Sequence, residues 1–413
     1  MTDLDLGAEI SARLEALAEC SESPGELTRL YLSPEHRRAA TLVGDWMRDA
    51  GMSVRLSALG DVVGRLEGTH PGSKTLILGS HIDTVRNAGK YDGNLGVISA
   101  LSVVERLRRD GKQLAFAVEI VAFGDEEGVR FPSTLGGARA LAGTFEAARL
   151  DEKDSDGVTR RDALIAFGAD PTKIADEARN PDQTLGYVEV HIEQGPILEA
   201  QNLPVGIVTA IAGATRGSVR IRGVSGHAGT VPMPLRRDAF TAAAEMALAI
   251  ERRASAATSL VATVGKIEVV NGAVNTVPGE VLFTLDIRAP SDTVRHQAVA
   301  DIEASIRTIA AHRHVSADIQ LDYNAPAAIC DARLMGALEA SVKRVGVGPL
   351  SLPSGAGHDG MALSGRIPFA MLFVRCHGGI SHNPAEFASI EDIDVAARTL
   401  IEFITHLDAA LTD

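Results

Sequence analysis

Residues 75–97 read TLILGSHIDTVRNAGKYDGNLGV. The first five residues form an apolar, branched run of the length expected for a buried strand, and the polar sequence SHID follows directly. Open α/β sheets bind ligands at the carboxyl ends of their strands. His81 therefore offers an imidazole nitrogen there, and Asp83 is placed to hold its ring or to hydrogen-bond nearby backbone. Asp92 follows in the turn-forming sequence YDGN, where a carboxylate could bridge two cations.

A second apolar run, 116–123, ends in the sequence GDEEG at 124–128, so three consecutive acids meet one strand end. This concentration of negative charge is unfavourable unless a cation or solvent compensates it. With metal present, Glu127 would coordinate and Glu126 would accept the proton of an attacking water. The alternative is a solvated acidic turn, which is what most runs of like charge are.

Two further predicted strands, 187–190 and 369–374, lead to His191 and to His382. A single histidine after a strand is more often structural than a ligand. Four strand ends that carry His, Asp or Glu are harder to explain without a common site. Imidazole and carboxylate ligands without thiolate suit Zn²⁺, Mn²⁺ or Co²⁺, and a bridging carboxylate suits two ions roughly 3.5 Å apart.

Seven segments together resemble the M20 metallopeptidase superfamily: GSHIDTV, YDGNLGV, FGDEEGVRF, HIEQGPILE, GHAGTVPM, SGAGHDG and GISHNPAEF. Within it they look like the amidase/hydantoinase/carbamoylase branch, which contains N-carbamoyl-L-amino-acid hydrolases, β-ureidopropionases and allantoate amidohydrolases. The match runs in order from about residue 30 to the C-terminus. It implies a centre of two divalent ions bridged by Asp92, with His81 and His191 on one side and Glu127 and His382 on the other. It also implies Glu126 as the general base.

The resemblance further implies a set of residues that face the substrate. They are Gln194 for the amide or ureido group, His227 for the oxyanion, Asn275 and Arg288 for the carboxylate, and Gly357 and His358 in a pocket loop. Guanidinium suits a carboxylate because its fork engages both oxygens. Without the resemblance, His227 and Asn275 would be read as turn residues and Arg288 as a surface cation. His358 could also simply brace its loop.

The order of predicted elements indicates an α/β protein of two domains, with catalytic segments 1–205 and 326–413 and an insertion at 206–325. The predicted helices are 6–19, 34–50, 234–254 and 290–312, and the insertion has predicted strands at 218–224, 261–270 and 280–288. The resemblance implies that this insertion is a ferredoxin-like α+β lid and dimerisation domain of a homodimer. Catalysis would then require closure, because Glu126 and His227 lie on different domains. The resemblance leaves two alternatives for His227, action within its own subunit or across the dimer, and in the second case a monomer would be nearly inactive.

Composition excludes several classes of partner. The 413 residues carry a formal net charge of -14, which disfavours nucleic acid and anionic membranes as partners. The first six residues show neither a basic region nor a long apolar region, and no later apolar run reaches the length of a membrane span. These features predict a cytoplasmic protein. Cys20, Cys330 and Cys376 have no pair or metal spacing and are expected to be free thiols.

The predicted reaction is hydrolysis of the ureido (N-carbamoyl) C–N bond of a small carboxylate, with release of ammonia and carbon dioxide. Allantoate is favoured, because residues 28–38 and 128–143 look closest to allantoate amidohydrolases and because Arg375, which replaces a proline, could meet an additional anionic or ureido group. N-carbamoyl-L-amino acids and N-carbamoyl-β-alanine are the alternative.

An aminoacylase or dipeptidase of the superfamily would share the metal ligands but not the Gln194, Asn275 and Arg288 combination. A non-catalytic binding protein would be expected to lack Glu126 or a ligand, and neither is missing.

Overall fold

The computed structural model describes residues 6–412, with side chains described to residue 409. Residues 1–5 and 413, which include most of the N-terminal stretch considered for targeting and the outer ends of the predicted catalytic segments, lie outside this range. The helices are α1 Leu6–Ala18, α2 Pro34–Asp49, α3 Asn94–Arg109, α4 Gly136–Leu141, α5 Arg160–Phe167, α6 Ile197–Ala200, α7 Ala239–Ser255, α8 Asp292–His312, α9 Ala332–Arg344, α10 Gly360–Leu363 and α11 Ile390–Thr412. The strands are β1 Ser53–Leu56, β2 Val62–Leu66, β3 Thr75–His81, β4 Ala117–Phe123, β5 Thr184–Ile192, β6 Val205–Ile211, β7 Gly213–Arg222, β8 Gly226–His227, β9 Val261–Thr263, β10 Ile267–Val269, β11 Thr276–Val277, β12 Glu280–Ala289, β13 Ser316–Ala325, β14 Ala328–Ile329, β15 Ser351–Ser354 and β16 Phe369–Val374.

The chain forms two compact units. Unit 1 consists of residues up to Thr209, Cys330–Leu352 and Gly357 onward, and unit 2 consists of Ala210–Ile329 with the short return segment Pro353–Ala356. The sequence prediction placed the insertion at 206–325 and left the return segment in the catalytic part. Four residues of chain separated from the main insertion carry no compositional signal that would mark them.

Unit 1 is built on a mixed sheet with the strand order β1-β2-β4-β3-β5-β16-β6. The central strands β4, β3, β5 and β16 are parallel, while β1, β2 and β6 join antiparallel. Every residue of β3, β4, β5 and β16 is buried, which explains why these strands appear as continuous apolar runs. The coarse prediction of an α/β protein is therefore confirmed, whereas the lid and dimerisation roles of the insertion stay predictions.

Unit 2 is an antiparallel sheet in the order β10-β12-β7-β13, with β9 also paired to β12. Strand β12 alternates strictly between buried and half-buried residues, and its buried side chains pack with α7 and α8 in one hydrophobic core. A separate two-stranded ribbon, β8 and β11, pairs His227 with Thr276.

The structure of unit 2 differs from the sequence prediction in several elements, among them β7, which spans Gly213–Arg222 rather than 218–224. The single strand predicted at 261–270 is wrong, because Val264, Gly265 and Lys266 interrupt it and leave β9 and β10. Helix α7 begins at Ala239 rather than at 234, since the Asp238 side chain caps the amides of Phe240 and Thr241. Strand β13 was not predicted, because it is largely exposed and lacks an apolar alternation.

Cys20, Cys330 and Cys376 are free and buried, as predicted. Within residues 6–412, no helix combines the length and the apolar character needed to cross a membrane.

Candidate metal centre

The predicted ligands come from one edge of the unit 1 sheet. His81 ends β3 beside Phe123 of β4, and His191 lies near the end of the parallel strand β5. The rings of these two histidines are 5.8 Å apart between centroids. Because the carboxyl ends of neighbouring parallel strands lie together, the loops that follow β4 and β16 reach the same edge.

Asp92 stands at the centre of this group. Its Oδ1 lies 3.1 Å from Nε2 of His191 and 3.6 Å from Nε2 of His81. Its Oδ2 lies 3.2 Å from Nε2 of His382, which is also 3.5 Å from Oε2 of Glu127. Two triads can each hold an ion: His81, Asp92 and His191, and Asp92, Glu127 and His382. The structure thus brings together all five predicted ligands, and Asp92 belongs to both triads.

In each of the two buried histidines Nδ1 faces a backbone carbonyl, so Nε2 is the nitrogen that could face an ion; Nε2 of His191 also accepts from the Gly93 amide at 3.2 Å. Nδ1 of His81 lies 3.1 Å from the carbonyl oxygen of Asp83, and Nδ1 of His191 lies 2.9 Å from that of Ile192. Because a carbonyl only accepts, each Nδ1 must carry the hydrogen and donate it. A third triad, Glu189, His191 and His358, is also close enough to hold an ion. It shares His191 with the first triad, so it adds no independent site.

The candidate ligands shift one another's pKa values, because acidic and basic side chains lie close together here. Burial raises the pKa of Asp92, but hydrogen bonds from His191, His382 and His81 outweigh it and hold that pKa well below its usual value. The pKa of His382 is raised to about 9, first by its hydrogen bond with Asp92. Burial and the charge of Asp92 raise the pKa of Glu127 to about 7. Such a cluster is compensated by protons on its histidines unless cations take their place.

The acidic loop after β4 is held by Asp83. The amides of Glu126 and Glu127 donate to Oδ1 and Oδ2 of Asp83 at 3.2 and 3.1 Å. Asp83 Oδ1 also lies 3.4 Å from Nδ1 of His81, so this one carboxylate connects a candidate ligand histidine to the loop. Oε1 of Glu126 is 3.6 Å from the position that a Cβ would take at Gly357, which places the predicted base beside the pocket loop.

Gln194 contacts the Asp92 carboxylate directly. Its Nε2 donates to Oδ2 of Asp92 at 2.9 Å and to Oγ of Ser381 at 3.1 Å. Glu386 accepts from the amides of Tyr91 and Asp92 at 2.9 and 3.0 Å and lies 2.8 Å from Ser381 Oγ. Ser381 and Glu386 therefore support Asp92, a role that sequence reasoning missed although both belong to the motif SHNPAEF. The signal was only that polar residues recur beside His382.

Backbone conformation at this edge is unusual. Gln194 and His382 both have a φ of 55°, a left-handed value that residues other than glycine seldom adopt. Gly93 has a φ of 65°, and a Cβ there would stand 2.4 Å from the His81 ring, so glycine is required between Asp92 and α3. Strained residues of this kind cluster at functional sites.

His358 is buried and packs edge-on against His191, with 4.4 Å between ring centroids. Burial and the neighbouring His191 keep the pKa of His358 well below its usual value. This packing favours the bracing role over direct substrate contact.

The other predicted substrate residues belong to unit 2. His227 and Asn275 are neighbours there, since the amide of Ala228 donates to the Asn275 carbonyl at 2.8 Å. Arg288 lies apart from them in β12, and its Nε and one terminal nitrogen each donate to an oxygen of Asp286 at 2.8 Å. The remaining terminal nitrogen donates to the carbonyl of Gly355 at 2.7 Å.

Arg375 is also occupied. Its Nε and Nη2 donate to the two oxygens of Asp392, both at 2.8 Å, and its Nη1 donates to Asn202 at 3.1 Å. The expectation that Arg375 meets an additional group of the substrate therefore finds no support in this structure.

Comparison with known proteins places the chain in a family. The profile of peptidase family M20/M25/M40 matches residues 77–406. Over 96% of this chain and 81% of the relative, it is 40% identical to an allantoate deiminase of Arabidopsis thaliana. It is likewise 40% identical to an N-carbamoyl-L-amino acid amidohydrolase of Geobacillus stearothermophilus, over 97% of this chain and 98% of the relative. Among solved structures, an amidase of the hydantoinase/carbamoylase family from Burkholderia multivorans superposes with a TM-score of 0.92 at 31% identity, covering 97% and 98% of the two chains. The resemblance seen in the motifs is confirmed, and the chain belongs to peptidase family M20/M25/M40.

Proposed function

We propose that this protein is a metal-dependent amidohydrolase that cleaves the ureido C–N bond of a small carboxylate. The observation that carries the proposal is Asp92, whose two oxygens face two different sets of candidate ligands. Relatives named for allantoate and for N-carbamoyl amino acids, each 40% identical over nearly the whole chain, support the ureido group as the target.

The donor set fits two divalent ions. Imidazole nitrogens and carboxylate oxygens without thiolate suit Zn²⁺, Mn²⁺ or Co²⁺. Within the described residues, Oε1 of Glu127 and Oε1 of Gln194 are buried without a hydrogen-bond partner, which leaves acceptor atoms for a ligand. His81, Asp92 and His191 would hold one ion, and Asp92, Glu127 and His382 the other. When bound, such ions polarise a carbonyl and make a neighbouring water more acidic.

Glu126 is the proposed general base. It belongs to neither triad, and its neighbours on both sides are fixed: Asp125 by Arg160, and Glu127 by Asp83. Burial raises the pKa of Glu126 well above its usual value, the charge of His81 lowers it, and Glu127 raises it again. As the water oxygen adds to the ureido carbon, Glu126 takes the proton and then gives it to the leaving nitrogen as the C–N bond breaks. The carbamic acid that remains loses carbon dioxide, so the products are an amine, ammonia and carbon dioxide.

Unit 2 is proposed to act as the lid and dimerisation domain of a homodimer. His227 would stabilise the oxyanion, and Asn275 would hold the substrate carboxylate. Arg288 would join Asn275 only after its guanidinium releases Asp286 and the Gly355 carbonyl, which occupy it in this structure. Gln194 and Gly357 belong to unit 1 and would lie at the ureido end, while His358, also in unit 1, would brace the loop of Gly357. Closure of the two units would exclude water and complete the site only when substrate is present.

Allantoate is the first candidate substrate, and N-carbamoyl-L-amino acids are the second. The relatives support both equally by identity, and Arg375 no longer distinguishes them because Asp392 occupies its guanidinium. The deciding experiment measures ammonia release by the Mn²⁺-reconstituted protein on allantoate, N-carbamoyl-β-alanine, several N-carbamoyl-L-amino acids and an N-acetyl amino acid. Preference for allantoate or for carbamoyl compounds identifies the substrate. Activity on the N-acetyl compound alone would overturn the ureido assignment in favour of an aminoacylase-like enzyme.

A further inference from the structure

A buried arginine lies behind the acidic loop. The side chain of Arg160, at the start of α5, has 0% exposure. One terminal nitrogen pairs with Oδ2 of Asp125, and the other donates to the Ser133 carbonyl at 2.7 Å and to Glu152 Oε2 at 3.0 Å. Its guanidinium carbon lies 4.7 Å from the centre of the Phe131 ring. One guanidinium thus joins Asp125, Ser133 and Glu152 to the start of α5.

The loop that Arg160 contacts through Asp125 is the one that carries the proposed base. Asp125 immediately precedes Glu126 and Glu127, whose amides donate to the two oxygens of Asp83. The carbonyl of Asp125 also accepts from the amide of Leu135 at 2.6 Å. The loop is therefore fixed from two sides, by Asp83 on the backbone of the two glutamates and by Arg160 on the side chain of Asp125.

Only a guanidinium meets these contacts together. Its planar fork directs donors toward Asp125 and toward Ser133 and Glu152 at the same time, whereas a lysine ammonium is a single point. A buried ion pair contributes little net stability when compared with apolar packing, but loss of one partner leaves the other charge uncompensated. Asp125 would then move toward new partners, and the loop backbone would follow.

We propose that Arg160 is a positioning residue that sets the placement of Glu126 and Glu127 through Asp125. The proposal rests on the proposed function for its catalytic consequence. Its structural consequence, a displaced loop, can be tested without a substrate. Hydrogen exchange reports on the loop amides directly, and metal affinity reports on the candidate ligand Glu127.

The test compares Arg160→Met and Arg160→Lys with Arg161→Met, a control on the same helix whose side chain is 44% exposed and pairs only at the surface. Hydrogen–deuterium exchange of residues 124–128 is measured on metal-free protein, and Mn²⁺ affinity by calorimetry. We expect faster exchange and about 10- to 100-fold weaker Mn²⁺ binding in Arg160→Met, intermediate values in Arg160→Lys, and wild-type values in the control. At saturating Mn²⁺ we expect kcat to fall about 10-fold or more while KM stays within about twofold. The reason is that the variant displaces the proposed base and leaves the residues that bind substrate in place.

Unchanged exchange and unchanged Mn²⁺ affinity in folded Arg160→Met would overturn the proposal. If that variant does not fold, Asp125→Asn removes the same ion pair with little change of shape, and the same two measurements apply to it. A wild-type protein that lacks ureido hydrolysis would instead refute the proposed function and leave the exchange and metal measurements interpretable.

Discussion

Oδ1 of Asp92 lies 3.1 Å from Nε2 of His191, while the other oxygen of the same carboxylate faces His382. Each oxygen of Asp92 therefore faces a different set of histidines. A carboxylate placed in this way can hold two ions, and each ion would keep its own histidine ligands if the other were lost. His81 and His191 are buried, whereas the side chain of His382 is 51% exposed. The two positions should therefore be separable by mutation.

His382→Ala should lower the metal content from two ions to one per chain. The triad of His81, Asp92 and His191 remains intact, whereas the second position retains only two carboxylates. Metal analysis after dialysis against trace Mn²⁺ measures the stoichiometry. His377→Ala, an exposed histidine of the same loop that pairs with Glu199, is the matched control and should keep both ions. Loss of both ions from His382→Ala would contradict separable positions.

Glu126→Gln should lower turnover strongly and retain metal. The amide cannot accept the proton of water, so kcat should fall by about 10²- to 10⁴-fold, while both triads keep their ligands. Glu127→Gln provides the contrast, because it removes a ligand and should lower metal content as well. Steady-state kinetics and metal analysis on the same preparations check both expectations. Normal activity in Glu126→Gln would remove this residue from its role.

The central strands could be predicted because buried strands appear in the sequence as apolar runs, and the candidate ligands could be placed at the ends of those runs. Strands β3, β4 and β16 are fully buried parallel strands, and their apolar runs end where polar chemistry begins. Strand β13 lacked this trace because its side chains are mostly exposed. The return segment Pro353–Ala356 also escaped prediction, since joining unit 2 depends on tertiary contacts rather than on composition.

Support for the site was less predictable than the site itself. Ligand histidines and acids are identifiable by type, but Arg160 acts from 35 residues beyond Asp125 and resembles any other helix cation in sequence. Arg375 shows the converse error. An arginine near a site suggests an anion-binding role, and only its contacts with Asp392 reveal a structural one.

Gln194 should contribute to substrate binding, and its backbone conformation should lower the stability of the fold. Gln194→Ala and Gln194→Gly both remove Oε1, which is buried without a hydrogen-bond partner and could accept from a ureido N–H, so both should raise KM by about 2- to 10-fold, the value of one hydrogen bond. Because φ is 55° here, the glycine variant should be more stable than the alanine variant by about 1 kcal/mol. Kinetics and denaturant unfolding measure the two effects. Equal stability of the two variants would argue against strain at this position.

Arg375→Ala should lower stability without changing substrate preference. Asp392, whose side chain is 6% exposed, would lose both hydrogen bonds, at a cost of about 1–3 kcal/mol. The ratio of kcat/KM for allantoate and an N-carbamoyl-L-amino acid should stay within about twofold. Arg398→Ala, which breaks an exposed pair with Asp394 on the same helix, should cost about 0.5 kcal/mol or less. A large change of the ratio in Arg375→Ala alone would restore this residue as a specificity determinant.

His36 should make the metal-free protein sensitive to mild acid. Its ring is fully buried, accepts from the Leu32 amide through Nδ1 at 3.0 Å and stacks on Phe167, and burial lowers its pKa to about 3. The unfolded chain, with an ordinary histidine pKa of about 6.5, binds this proton first, so stability is lost as pH falls below that value. Between pH 7 and pH 5 the loss from this residue should be about 2 kcal/mol. Urea unfolding at both pH values should show that His36→Asn, which keeps an acceptor for Leu32, loses less stability than the wild type by this amount. His70→Asn, at an exposed histidine, should behave like the wild type, and equal losses in all three proteins would mean that His36 is not buried in its neutral form.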